Sequence, residues 1–284
     1  MKENSDIIEL NLWGKVVGCI ISSLVIISNS VEIHFLRRTA NKPFYEKMLL
    51  SLTVSDLIGG VFSFFSVLIL CVDEFESYII IYWNVWGFVM CYSNLTSLLH
   101  LIIIGGDRLW SVKAPFHHRK YVTMKKLLAA VSVSWIAPMI FVIAHIIIVL
   151  INKKGAAEIH TYYRSIMFRD IAIIVIIADF ILLLCYCAIV WIISKNNRAL
   201  KQNRTSNHTL ILCIGIVISF VIFTTPFVVV YLTSWNRPLW LEKLCIFLFP
   251  LNQISNSIMY FIQKHRSNRH LKTSNEHEQR STSL

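Results

Sequence analysis

The stretch WNVWGFVMCYSNLTSLLHLIIIGGDRLWSVKAPF (83–116) has no Lys, Arg, Asp or Glu before Asp107, where an acid and a base stand side by side. A run of about 20 apolar residues is enough to cross the hydrocarbon of a bilayer. An ionisable pair at the mouth of such a run costs free energy and marks a functional position by default. The run sets the fold class, and Asp107-Arg108 sets the first question about function.

Six further apolar runs complete the pattern. With 79–106 they are 11–36, 46–70, 127–151, 168–194, 208–234 and 240–263. Leu127 to Ile151 and Leu210 to Leu232 carry no Lys, Arg, Asp or Glu. Of the 284 residues, 56% are hydrophobic and only 15% charged, against about 25% charged in soluble domains. A soluble helical protein shows amphipathic stripes rather than unbroken apolar runs. The expectation is an all-α integral membrane protein, a bundle of seven transmembrane helices. It divides into an extracellular amino terminus (1–10), the membrane domain (11–263) and a cytoplasmic tail (264–284). The first run is too long for a signal-peptide core and follows three acids, so it reads as an uncleaved span.

Charge sets the orientation. With the amino terminus outside, segments 37–47, 107–126, 195–207 and 264–284 face inward and hold 19 of the 27 Lys and Arg residues. Short cytoplasmic loops are enriched in this way. The net charge of +11 is thus mostly a charge of the cytoplasmic face, which meets anionic lipid or an acidic partner and gives no reason to invoke nucleic acid. The sequons at Asn94, Asn203 and Asn207 fall within a span or an inner loop, where no glycan is attached. Of seven cysteines only Cys71 and Cys245 lie near the outer face, and sequence alone leaves their pairing open. No His/Cys cluster has the spacing of a metal site.

Polar residues inside the spans separate the functional classes, because each needs a partner where there is no water. They are Asn29, Asp56, Ser93, Asn94, Ser97, Asp179, Tyr186, Asn252, Gln253, Ser255, Asn256 and Tyr260, with Trp135, Pro138, Phe220 and Pro226 as further marks. Taken in order, Asn29, Asp56, Arg108, Trp135, Pro226 and the Asn256–Tyr260 pair resemble the landmarks of a rhodopsin-like G-protein-coupled receptor, here a divergent, orphan-type member. The resemblance spans roughly residues 11–271 and implies a short amphipathic eighth helix, carried by Phe261, Ile262 and Leu271 among Lys264, Arg266, Arg269 and Lys272.

The chain departs from the family pattern at several points. The family's Asp-Arg-Tyr reads Asp107-Arg108-Leu109, and its Asn-Pro-x-x-Tyr reads Asn256-Ser257-Ile258-Met259-Tyr260. Thr224 stands in place of the usual span-six tryptophan, Ala178 in place of the span-five proline, and Trp83 in place of the cysteine that opens span three. Loss of both the disulfide and the span-five proline is similar to the melanocortin, cannabinoid and lysophospholipid branch.

The resemblance implies roles residue by residue. Asp107 restrains Arg108 at rest, Tyr186 and Tyr260 approach it on activation, and Phe116 plugs a pocket on a heterotrimeric G protein. No acid stands at Thr205-Ser206-Asn207 to lock Arg108 from span six, which implies basal activity. Asp56, Ser93, Ser97, Asn252 and Asn256, with Asn29 in the same core, are similar to an allosteric sodium pocket; a water-filled polar network fits them equally. The ligand pocket falls on Met90, Cys91, Asn94, Asp170, Phe227, Tyr231, Ile246 and Phe249. Met90 in place of an amine-binding aspartate and Pro250 in place of a retinal-linking lysine argue against an amine or a retinal ligand. A lipid, a small neutral molecule and a short peptide all fit the apolar lining. Tail serines and threonines offer phosphorylation sites for arrestin, and Thr282-Ser283-Leu284 fits a PDZ ligand.

The expected function is therefore a plasma-membrane receptor without enzymatic chemistry or a resident cofactor. Two alternatives stay open: a receptor-like decoy or scaffold that does not couple, and a transporter or channel. No internal repeat relates 1–140 to 141–284, and nine glycines are few for broken helices.

Overall fold

The computed structural model describes residues 12–38, 44–69, 79–151, 166–195, 204–233 and 244–264, apart from 246, 249 and 263. The described residues are helical with short connections and no strand. The helices are α1 (Leu12–Arg38), α2 (Phe44–Ile69), α3 (Ile79–Lys113), α4 (Pro115–Tyr121), α5 (Met124–Ile151), α6 (Phe168–Lys195), α7 (Arg204–Thr233) and α8, unbroken over 250–262. Helices are the form an apolar chain takes in lipid, because each closes its own backbone hydrogen bonds where water offers none. Five of them (α1, α2, α3, α5 and α6) are long and apolar enough to span a membrane, and α7 contributes a shorter apolar stretch, Val217–Leu232.

The helices extend past the limits set by hydropathy. α3 continues through Asp107-Arg108 to Lys113, and α1 to Arg38. Helical bonding does not stop where hydrocarbon does, and cations in a last turn complement the helix dipole. The stretch expected as a second inner loop is also largely helical. After Ala114 the chain turns and restarts with Pro115 in the first turn of α4, a position where proline's missing N–H is no loss. The Thr123 hydroxyl then accepts the Lys126 amide at 3.4 Å and starts α5. The amino-terminal segment 1–10, Cys71, and the tail beyond Lys264, with most of its expected amphipathic helix, lie outside the described residues.

α3 is the hub. It contacts α2, α4, α5, α6 and α7. Of its apolar window, 67% is buried inside the protein, against 22% for α1 and α5. The outer helices turn large apolar side chains outward, including Ile20, Leu24 and Ile27 on α1 and Phe180, Leu183 and Trp191 on α6. Such faces would be aggregation-prone in water and are the expected contact with lipid. Small polar contacts set the register between helices. Ser51 of α2 accepts the Trp135 indole N–H of α5 at 2.9 Å and sits 2.9 Å from His100 Nε2 of α3, whose Nδ1 lies 2.7 Å from the Thr96 carbonyl. His100 is thus a satisfied packing residue that ties three helices.

Close approach of α1 and α2 requires Gly60. A Cβ there would lie 2.5 Å from Val25 Cγ1 and 3.1 Å from Val25 Cβ. Gly60→Ala is expected to destabilise the bundle by about 1–3 kcal/mol through overpacking, read as a lower Tm in detergent. Gly106→Ala, with nothing within 4 Å of the new Cβ, serves as the control that leaves Tm unchanged or slightly higher.

Candidate functional site

Two polar centres lie along the bundle axis, one in the middle and one at the carboxyl-terminal end of α3. The middle centre is built around Asp56, fully buried on α2. Its Oδ1 accepts the Ser97 hydroxyl of α3 at 2.6 Å, and its Oδ2 accepts the Asn256 amide of α8 at 2.9 Å. Charge-assisted bonds of this length are the strong kind. Alongside, Ser93 donates to the Ser55 carbonyl at 3.3 Å and accepts from Gln253 at 3.2 Å. Asn252 is buried in the same region of α8 with its Oδ1 unpartnered, as is Oδ1 of Asn256. Gly59 lets these groups meet, since a Cβ there would come within 2.5 Å of Ser93 Oγ and 2.7 Å of Gln253 Nε2.

Asn29 belongs to a neighbouring cluster. Its amide donates to the Val25 carbonyl of its own helix at 2.8 Å, and its Oδ1 faces Ser257 Oγ at 3.3 Å. That hydroxyl lies closer to Glu32, 2.7 Å from Oε2. From the sequence, Glu32 is expected to pair with Arg37 or Arg38; the structure instead makes it a fully buried partner of α8.

At the carboxyl-terminal end of α3, Arg108 Nη2 donates to Asp107 Oδ2 at 2.7 Å, and the pair is largely sheltered, with side chains 16% and 5% exposed. Asp107 has a second partner that the sequence did not suggest. His118 of α4 places Nε2 2.7 Å from Oδ1. The helical turn at Pro115 swings His118 back over α3, where it also meets Trp110 edge to face at 5.5 Å. The guanidinium of Arg108 lies over the Tyr45 ring of α2 at 4.3 Å, a cation–π contact. Phe116, two residues before His118, is 88% exposed. Tyr186 packs into the core near Gly105 of α3. Tyr260 is buried on α8, with the Lys264 ammonium 5.7 Å over its ring.

Toward the other end of the bundle, Met90, Cys91, Asn94, Phe227 and Tyr231 are all buried. Phe168 of α6, another unforeseen residue, joins Phe227 at 5.9 Å and Tyr231 at 5.0 Å, so three rings form one aromatic tier. Polar groups here are partly spent: Ser63 of α2 donates to Met90 Sδ at 3.1 Å, and the Asn94 amide to the Met90 carbonyl at 2.8 Å. Asp170 faces His145 of α5 at 4.0 Å and Arg169 at 3.9 Å. Ile246 and Phe249, expected in the same pocket, and Thr282 and Leu284 at the carboxyl terminus lie outside the described residues. Among the landmarks, Phe220 is fully buried on α7, Pro226 sits inside that helix, and the Thr224 hydroxyl between them donates to the Phe220 carbonyl at 2.9 Å.

A comparison with curated proteins finds no match. A comparison with protein families matches the model described as 7 transmembrane receptor (rhodopsin family) to residues 24–262. The matched region runs from within α1 to the end of α8 and includes both polar centres. The all-helical bundle is accordingly one of seven spans, in a multi-pass membrane protein, and the chain belongs to the rhodopsin family of seven-transmembrane receptors.

Proposed function

We propose that the chain is a ligand-activated receptor of the plasma membrane, amino terminus outside, that promotes nucleotide exchange on a heterotrimeric G protein. The observation that carries this reading is the inner-end cluster. Arg108 is held between the Asp107 carboxylate and the Tyr45 ring beside the exposed Phe116. A guanidinium held this way has two states separated by a small number of bonds: folded onto Asp107, or extended into the opening left when the inner end of α7 moves outward. An agonist acts by binding one state better than the other. Phe116 gives the partner an apolar anchor of the kind that dominates interfaces.

His118 gives this switch a feature of its own. When Arg108 leaves, Asp107 keeps a donor if His118 carries its hydrogen on Nε2, so a buried carboxylate is not left bare. His118 also couples α4, and with it Phe116, to the state of Arg108. The ligand site falls among Met90, Cys91, Phe227 and Tyr231 with Phe168, and the apolar, aromatic lining favours a lipid or small neutral ligand or an apolar peptide side chain. Arrestin and a PDZ domain remain further partners proposed from the tail sequence.

The middle centre fits a bound sodium ion. Asp56 supplies a carboxylate, Ser97 and Ser93 hydroxyls, and Asn252 and Asn256 amide oxygens that lack partners, an all-oxygen set of the sort a hard cation takes. Bound there, the ion would neutralise a carboxylate held away from water and favour the state in which α2, α3 and α8 converge.

Expressed without ligand in cells that report G-protein activation, the chain is expected to signal above background. Arg108→Ala and Phe116→Ala at matched surface level are each expected to remove that signal. Parent output equal to that of empty cells, even with an agonist bound, would favour a decoy that binds without coupling. His118→Ala is expected to alter basal output in the same assay while leaving ligand affinity within about twofold; a loss of ligand binding instead would assign His118 to folding alone. Raising sodium is expected to lower agonist affinity, and Asp56→Asn to abolish the shift. An agonist curve indifferent to sodium in the parent would overturn the cation reading.

A further inference from the structure

We propose that Glu32 of α1 and Ser257 of α8 form a latch that holds the inner half of span seven in its resting position, in place of a proline hinge. The proposal rests on the coupling function above for its signalling consequence, though not for its geometry.

On α1, Val25, Asn29, Glu32 and Leu36 are all fully buried, at spacings of four, three and four residues that put them on one helical stripe. On α8 the facing stripe is Ser257, Tyr260, Phe261 and Lys264. The two stripes meet tier by tier. Ser257 Oγ donates to Glu32 Oε2 at 2.7 Å. One turn further in, Phe261 meets Phe35 edge to face at 5.8 Å, and the Lys264 ammonium lies 4.3 Å over the Phe35 ring.

A glutamate side chain at this depth is costly unless it is hydrogen-bonded. Ser257 has one hydroxyl proton and two acceptors in reach, Glu32 Oε2 at 2.7 Å and Asn29 Oδ1 at 3.3 Å. Distance and acceptor strength assign the proton to Glu32. The other carboxyl oxygen, Oε1, has no partner, so breaking the Ser257 bond would leave a buried acid still less satisfied. The preceding residue, Asn256, is bonded to Asp56. Two consecutive residues of α8 are thereby tied to carboxyl groups on two different helices. The helix is continuous over 250–262, and Ser257 keeps the backbone N–H that a proline would lack. Without a built-in kink, span seven moves inward or outward only by releasing these ties. Glu32 and Ser257 are positioning residues: they act on Arg108 through Tyr260 and the inner end of α8.

The test uses the full chain with spin labels at Arg38→Cys and Ile262→Cys, both exposed, in a background without other reactive exposed cysteines. Ser257→Ala and Glu32→Ala are each expected to broaden or lengthen the distance distribution between the ends of spans one and seven. In the signalling assay each should shift the resting-to-active ratio about tenfold, the worth of one buried hydrogen bond to a carboxyl oxygen. The double variant should do no more than either single one, since both remove the same bond. Glu32→Gln, which still accepts from Ser257, should stay near the parent in both readouts. Ser257→Pro should release the latch as Ser257→Ala does. Label distances that match the parent in Ser257→Ala, or single effects that add in the double variant, would overturn the latch. Shifted distances with no G-protein signal in any variant would uphold the latch and overturn the coupling reading instead.

Discussion

A carboxylate in hydrocarbon must find its hydrogen-bond donors on neighbouring helices, and the arrangement of this bundle follows from that constraint at Asp56. Ser97 and Asn256 bring α3 and α8 to α2 because no water is there to take their place. The apolar faces of these helices are as comfortable against lipid as against one another, so they specify adjacency weakly. A buried acid with two donors on two different helices specifies it strongly. Ser93, Ser55 and Gln253 repeat the device beside it, and Gly59 supplies the room.

The same constraint governs the carboxyl-terminal end of α3, around Asp107. Asp107 is shared between Arg108 on one carboxyl oxygen and His118 of the short helix α4 on the other, so the acid keeps one partner when the other leaves. Tyr45 steadies the guanidinium from α2. Between the two centres the Glu32–Ser257 pair forms a third tie, so the seventh span is held to α1 and α2 at adjacent residues.

The departures from the family pattern are locally consistent with this picture. Thr224 satisfies its hydroxyl on the Phe220 carbonyl and brings no large ring into the core. Leu109 packs against the hydrophobic core beside Arg108. Ser257 replaces a kink with a hydrogen bond. Each substitution exchanges a shape feature for a packing or polar contact inside the same bundle.

The apolar runs were legible in one dimension because the rule that creates them is one-dimensional: a segment must be long and uncharged to cross hydrocarbon. The landmark residues were legible for a related reason, since an Asp, Asn or Arg in such a run has to be justified. Partnership was not legible. Asp56 and Asn256 are 200 positions apart, and Ser257 and Glu32 225 apart, and nothing in the local pattern of either says which helix it will face. Glu32 read as a partner for Arg37 or Arg38 until α8 was laid against α1. His118 read as a loop residue until α4 folded it back over Asp107. Tyr45 and Phe168 carried no signal beyond their aromatic character. Hydrophobic length acts within one segment and so can be read from it, whereas a hydrogen bond between helices depends on the rotation and depth of both, which exist only once the bundle has packed.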